Sequence, residues 1–211
     1  EAFVDPMLSA LAQIEERTLG ADPVVRAAAV AFAFVYLHPL VDGNGRIHRF
    51  LINHLLAADH AVPANIVVPV SATIAGTARG RANYDQVLEV FSRPFMQAHA
   101  GDYRFGTQRT CPDGVVTNFE FTATDEAQHA WRFIDLTEHA RYLSGVLRQT
   151  VENEMAQEAQ ALGRNDPAAM RRAGFGSGMV PRCVDARLAA TIQCAPTAGY
   201  TSHIPATWMS H

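Results

Sequence analysis

The run from Ala27 to Leu37 is apolar without a break, and it stops abruptly at His38-Pro39. A bilayer-spanning helix needs ~20 such residues, so no membrane span is expected here. A helix that is apolar on every side has to be buried on every side. This one must therefore lie at the centre of the fold, with the rest of the chain arranged around it. Asp22 can cap its start and Pro23 suits its first turn. The residue before a proline avoids the helical region, which ends the helix at His38.

Helical spacing recurs on both sides. Met7 to Glu16 carries apolar residues at 7, 8, 11 and 14, a helical period. A third helix is expected from Asn44 or Gly45 to about Ala58, with Ile47, Leu51, Leu55 and Ala58 on one face and Phe50 and His54 beside it. Pro63 to Pro69 reads as extended. Ser71 can cap a helix running through Arg79, and Tyr84 to Ala100 forms another. The period then changes: Tyr103–Phe105 and Val115–Phe121 flank Pro112-Asp113-Gly114, the pattern of a β-hairpin. Asp125 to Leu162 returns to helix, broken near Asp135. Residues 173–211 are rich in Gly, Ala, Pro, Ser and Thr and show no sustained period, so residues 166–211 read as an atypical, poorly ordered tail behind a domain at 1–165. The fold class expected is mainly α with one small β-hairpin.

Bulk properties exclude several functions. The net charge is −4 over 211 residues, which argues against broad electrostatic binding to nucleic acid. All seventeen basic residues are Arg, a composition bias rather than a functional signal. Cys111, Cys183 and Cys194 are scattered and form no CxxC pair, which suits a reducing, cytoplasmic setting better than a disulfide framework. The first residue is Glu1 and no signal-peptide pattern follows it; the chain reads as an excerpt whose upstream part is missing.

The chemistry concentrates in His38-Pro39-Leu40-Val41-Asp42-Gly43-Asn44-Gly45-Arg46-Ile47-His48-Arg49. A helix N-terminus offers unpaired N–H donors and the positive end of a dipole. Gly43 and Gly45 let successive amides turn inward as an anion-binding nest, and Asn44 can add a side-chain amide. Arg46 and Arg49 are three apart and share a helix face, with guanidinium forks suited to phosphate oxygens. Asp42 is a lone carboxylate beside that nest, the usual protein share of a Mg²⁺ site completed by phosphates and water. His38 can take a proton from an attacking hydroxyl near neutral pH. Competing readings fail on spacing. His48 and His54 are six apart, so they face different ways, and there is no HExxH for zinc. Gly43-Asn44-Gly45 is half a dinucleotide fingerprint without its strand, and no GK[ST] phosphate loop exists.

This string resembles the motif of the Fic family, HPFx[D/E]GNGRxxR, with Leu40 in place of Phe. The resemblance extends over roughly residues 5–165, through the Arg49–Ile52 continuation, Pro69–Ala72 and Tyr84–Ser92, and looks like a bacterial branch. It implies a mainly helical protein that transfers AMP from ATP to a Ser, Thr or Tyr hydroxyl of a target protein. His38 would be the base, Asp42 the Mg²⁺ ligand, Gly43, Asn44 and Gly45 the anion hole, and Arg46 and Arg49 the holders of the β- and γ-phosphates. Leu40 would anchor the loop in the core as the family's Phe does. Tyr84 falls where relatives often contact adenine, although an aromatic there is more often core. The Doc branch carries Lys at the position of Gly45 and transfers a phosphate, so Gly45 favours nucleotidyl transfer. The partners implied are a protein target and, compatible with the family, a second copy in a homodimer.

Two family parts are not visible in this sequence: the target-binding flap before the motif helices, which is absent or lies in the upstream part, and a complete [S/T]xxxE[G/N] inhibitory helix. Thr122–Glu126 and Thr150–Glu154 fit its first five positions, but Ala127 and Met155 break the sixth. A de-adenylylating phosphodiesterase, a transferase using another nucleotide, and an inactive nucleotide-binding relic are the alternative functions.

Overall fold

The computed structural model describes residues 4–157 apart from 64–65, 113, 125, 128–129 and 131–132; the expected tail at 166–211 and the end of the last helix lie outside the described residues. The fold is mainly helical. Helix α1 spans Val4–Arg17, α2 Pro23–Leu37, α3 Asn44–Ala58, α4 Val70–Ala75 and α5 Ala78–Ala98. An antiparallel hairpin of β1 (Tyr103–Thr110) and β2 (Val116–Phe121) follows. Helix α6 (Thr137–Gln149) then runs into a π-helical turn at Thr150–Met155.

Helix α2 is the axis of the molecule. Ala27, Ala28, Ala31, Phe32 and Tyr36 have no exposed surface, and α3, α1 and α6 all pack on it. Its start is the one expected: Asp22 Oδ1 accepts hydrogen bonds from the amides of Val24 (2.9 Å) and Val25 (3.2 Å), with Pro23 in the first turn. Small residues on one side admit the neighbouring helices, and the aromatic rings fill the gaps between them. Its one charged residue, Arg26, is 3% exposed and tied to Asp59 at 2.7 Å and to the Glu15 carbonyl at 2.9 Å. One guanidinium thus joins α1, α2 and the end of α3.

Three local expectations are corrected. The buried row of α3 is Asn44, His48, Ile52, Leu55 and Leu56; of the expected Ile47, Leu51, Leu55 and Ala58 it keeps Leu55 alone. The inward row begins with two polar residues, which an apolar count cannot register. Phe50 and His54 lie on the opposite, solvent face, stacked at 5.8 Å between ring centroids. The helix expected from Ser71 through Arg79 is broken at Gly76-Thr77. Ser71 lies inside α4 and caps nothing, while the Thr77 hydroxyl accepts from the Gly80 amide at 2.9 Å and starts α5. Helix α5 continues through Pro94.

Candidate active site

The loop between α2 and α3 is built by its backbone. Pro39 prevents the helix from continuing, and His38 takes a left-handed conformation (φ 45°, ψ 51°) while its N–H donates to the Phe34 carbonyl at 3.1 Å. Positive φ costs an L-residue roughly 1–2 kcal/mol, and histidine is among the non-glycine residues that tolerate it best. Gly43, at φ 93°, starts α3 with no capping side chain. Its carbonyl accepts from the Arg46 amide at 2.9 Å and the Ile47 amide at 3.0 Å. The amides of Asn44 and Gly45 precede the first intrahelical bond, as at any helix start. A Cβ on Gly43 would stand 3.2 Å from the Arg46 guanidinium, and one on Gly45 3.3 Å from that of Arg49. Both glycines therefore leave room for arginine forks to fold back over the nest.

Asn44 has a different occupation from the one expected of its side chain. Its Oδ1 accepts from the Leu40 amide at 3.0 Å and its Nδ2 donates to the Leu40 carbonyl at 2.6 Å. It is 3% exposed and clamps the loop as a neighbouring strand would. Leu40, expected in the core, is 41% exposed; the loop is anchored through its backbone instead. An equivalent clamp, not foreseen from the sequence, sits two turns later. Asn53 accepts from the Val68 amide at 2.8 Å and donates to the Val68 carbonyl at 3.1 Å, holding the extended segment to α3. A polar residue on a partly buried helix face was its only sequence signal.

The charged groups divide. Asp42 and Arg46 pair at 2.9 Å in solvent, and Asp42 also accepts from the Gly43 amide at 2.7 Å. Among the described residues no carboxylate pairs with the Arg49 guanidinium, which is half-buried and sends its field towards His48 and Tyr84. His48 turns inward, with both ring nitrogens buried and without a hydrogen-bond partner. Its ring stands edge-on to Phe32 at 4.8 Å and 5.5 Å from Tyr84. Burial, then the charge of Arg49, then His139, push its pKa down to about 3, so it stays neutral in the fold. Tyr84 packs against Phe32, His48 and Tyr142, and burial raises its pKa. Its ring belongs to the core rather than to the loop. His48 and His54 face opposite ways, and among the described residues no cluster of three His, Cys, Asp or Glu could hold a metal.

Residues 3–56 match the model of the Fic/DOC family. The chain is 30% identical over 122 residues to protein adenylyltransferase fic-1 of Caenorhabditis elegans, covering 53% of this chain and 22% of that protein. The same figures hold for protein adenylyltransferase fic-1 of Caenorhabditis briggsae. The chain therefore spans less than a quarter of the length of these relatives. No solved structure matches it.

Proposed function

We propose that this chain, whose residues 3–56 match the Fic/DOC family, transfers AMP from ATP to a Ser, Thr or Tyr hydroxyl of a target protein. The observation that carries this reading is the start of α3. A helix without a side-chain cap opens at a left-handed glycine, with two arginines folded back beside it and a histidine at the end of the preceding helix. Anions collect at such a start. The curated relatives are named as adenylyltransferases, and Gly45 favours nucleotidyl over phosphoryl transfer.

In this reading His38 takes the proton as the acceptor oxygen attacks the α-phosphorus in line. The P–O bond to pyrophosphate breaks, and the amides of Gly43, Asn44 and Gly45 hold phosphate oxygens. Asn44 serves through its N–H, because its side chain is engaged with Leu40. Arg46 and Arg49 take up charge on the leaving pyrophosphate. Asp42, an exposed hard-oxygen ligand, fits Mg²⁺ in the way a single carboxylate does beside phosphates. A Mg²⁺ held there by Asp42 would supply charge neutralisation for the phosphates. Arg46 must then leave Asp42, and the pair is exposed enough to part at little cost.

Incubation with α-labelled ATP, Mg²⁺ and a host lysate should label protein, and His38→Ala should abolish the label. Persistent labelling in that variant would remove His38 from the mechanism, and transfer from γ-labelled ATP would replace this reading with a kinase.

A further inference from the structure

Tyr36 lies in the last turn of α2, two residues before His38. The Tyr36 hydroxyl lies 3.0 Å from the Leu88 carbonyl of α5 and 2.6 Å from Nε2 of His139 on α6. Tyr36 and His139 have no exposed surface. A hydroxyl has one proton and two acceptor lone pairs, so the network admits two arrangements. If Tyr36 donates to His139, the imidazole proton sits on Nδ1, which has no partner, and a dry N–H is the costlier orphan. If His139 Nε2–H donates to Tyr36 and Tyr36 donates to Leu88, every proton is used and only a lone pair at Nδ1 is left over. The second arrangement is favoured. It requires a neutral imidazole, in keeping with burial, which lowers the His139 pKa to about 4 against the opposing pull of Asp135.

We propose that Tyr36 and His139 are positioning residues for His38: the chain His139 Nε2–H to Tyr36 hydroxyl to Leu88 carbonyl fixes the last turn of α2 between α5 and α6. It thereby sets where the chain leaves α2 and so where His38 stands. The anion nest itself is built by α3 and the Asn44 clamp, to which the hydrogen bonds of Tyr36 with Leu88 and His139 do not run. Loss of the network therefore moves the base and leaves the nucleotide seat alone. The Tyr36 ring meets Phe91 at 5.3 Å and His139 at 5.4 Å, both outside α3, and the network reaches α3 through Phe32, whose ring stands 4.8 Å from both His139 and His48.

The role of His38 as base rests on the adenylyltransferase reading, so the test carries a readout that does not depend on it. In the 211-residue chain, Tyr36→Phe, His139→Leu and His139→Gln are compared with the parent. The measurements are the His38 ring NMR resonance, ATP affinity by calorimetry, and the rate of label transfer from α-labelled ATP. Circular dichroism establishes that each variant is folded. Tyr36→Phe and His139→Leu should shift the His38 resonance and lower kcat about 10-fold or more, with KM for ATP within about two-fold of the parent. His139→Gln, which keeps a donor near the Nε2 position, should recover most of the rate. The double variant should be no slower than the slower single one, because both changes break one unit. An unmoved His38 resonance in folded Tyr36→Phe and His139→Leu overturns the proposal. So does a joint loss of affinity and rate that Gln fails to rescue, which would mark general packing. A parent chain that transfers no label sinks the adenylyltransferase reading instead, and the resonance then decides the positioning role alone.

Discussion

Both ends of α3 carry an arginine–aspartate pair, and the two pairs do opposite work. At the C-terminal end Arg26 and Asp59 meet at 2.7 Å with side chains 3% and 16% exposed; at the N-terminal end Arg46 and Asp42 meet at 2.9 Å with 73% and 89% exposed. The chemistry and spacing are nearly the same. What differs is water. The buried pair has been stripped of solvent and compensated by the Glu15 carbonyl, so removing one partner leaves a charge with nowhere to go. The exposed pair trades one set of well-solvated contacts for another and can be surrendered to an incoming anion. One helix thus ends in a structural lock and begins in a temporary latch.

The largest effect is expected from breaking the lock. Arg26→Ala should cost about 3–5 kcal/mol, the usual loss when one partner of a buried pair is removed. For a chain of this size that lowers Tm by ~10 °C or more; a thermal melt shifted by only one or two degrees would erase the distinction between the two ends.

Acid tests the interior between them. His48 and His139 have folded pKa values lowered to about 3 and about 4. The unfolded chain therefore binds protons first. Stability is fully present above pH ~6.5 and is lost as pH falls from there towards the folded values, by roughly 1.4 kcal/mol per pH unit per histidine. Urea midpoints between pH 7 and 5 should fall steeply, and His48→Phe should reduce the slope by about half. A flat profile would mean that neither ring is held neutral.

The smallest effect on stability belongs to the latch. Arg46→Ala should change unfolding free energy by less than about 1 kcal/mol while weakening ATP binding about 10-fold or more, the loss expected for a charge-assisted phosphate contact. Calorimetry beside a urea melt reads both. A variant that unfolds more easily yet binds ATP normally would reverse the roles assigned to the two ends.

Much of this was legible in the sequence because it depends on local chemistry. The apolar run, Asp22-Pro23 and His38-Pro39 bound α2 by capping and by the φ restriction of proline. The glycines bracketing Asn44 announced where α3 begins. What could not be read depends on contacts distant along the chain. His48 counts as polar in any pattern, yet it packs on Phe32 from another helix as a neutral ring, so the inward face of α3 was misplaced. The Asn44 side chain reads in the sequence as an addition to the anion nest and Asn53 carries no reading, because their partners, Leu40 and Val68, are backbone groups whose position only the fold supplies. Tyr36 and His139 are separated by 103 residues, beyond the reach of any spacing argument.

The Asn53 clamp has a kinetic consequence. Val68 sits in no sheet, yet both its backbone groups are paired with one side chain. Its amide proton should exchange with solvent as slowly as one inside a β-ladder, and only when α3 parts from the segment beside it. That single proton is a clock for the opening of the helical core, ticking in a segment outside any helix or strand, where exchange would be expected at once.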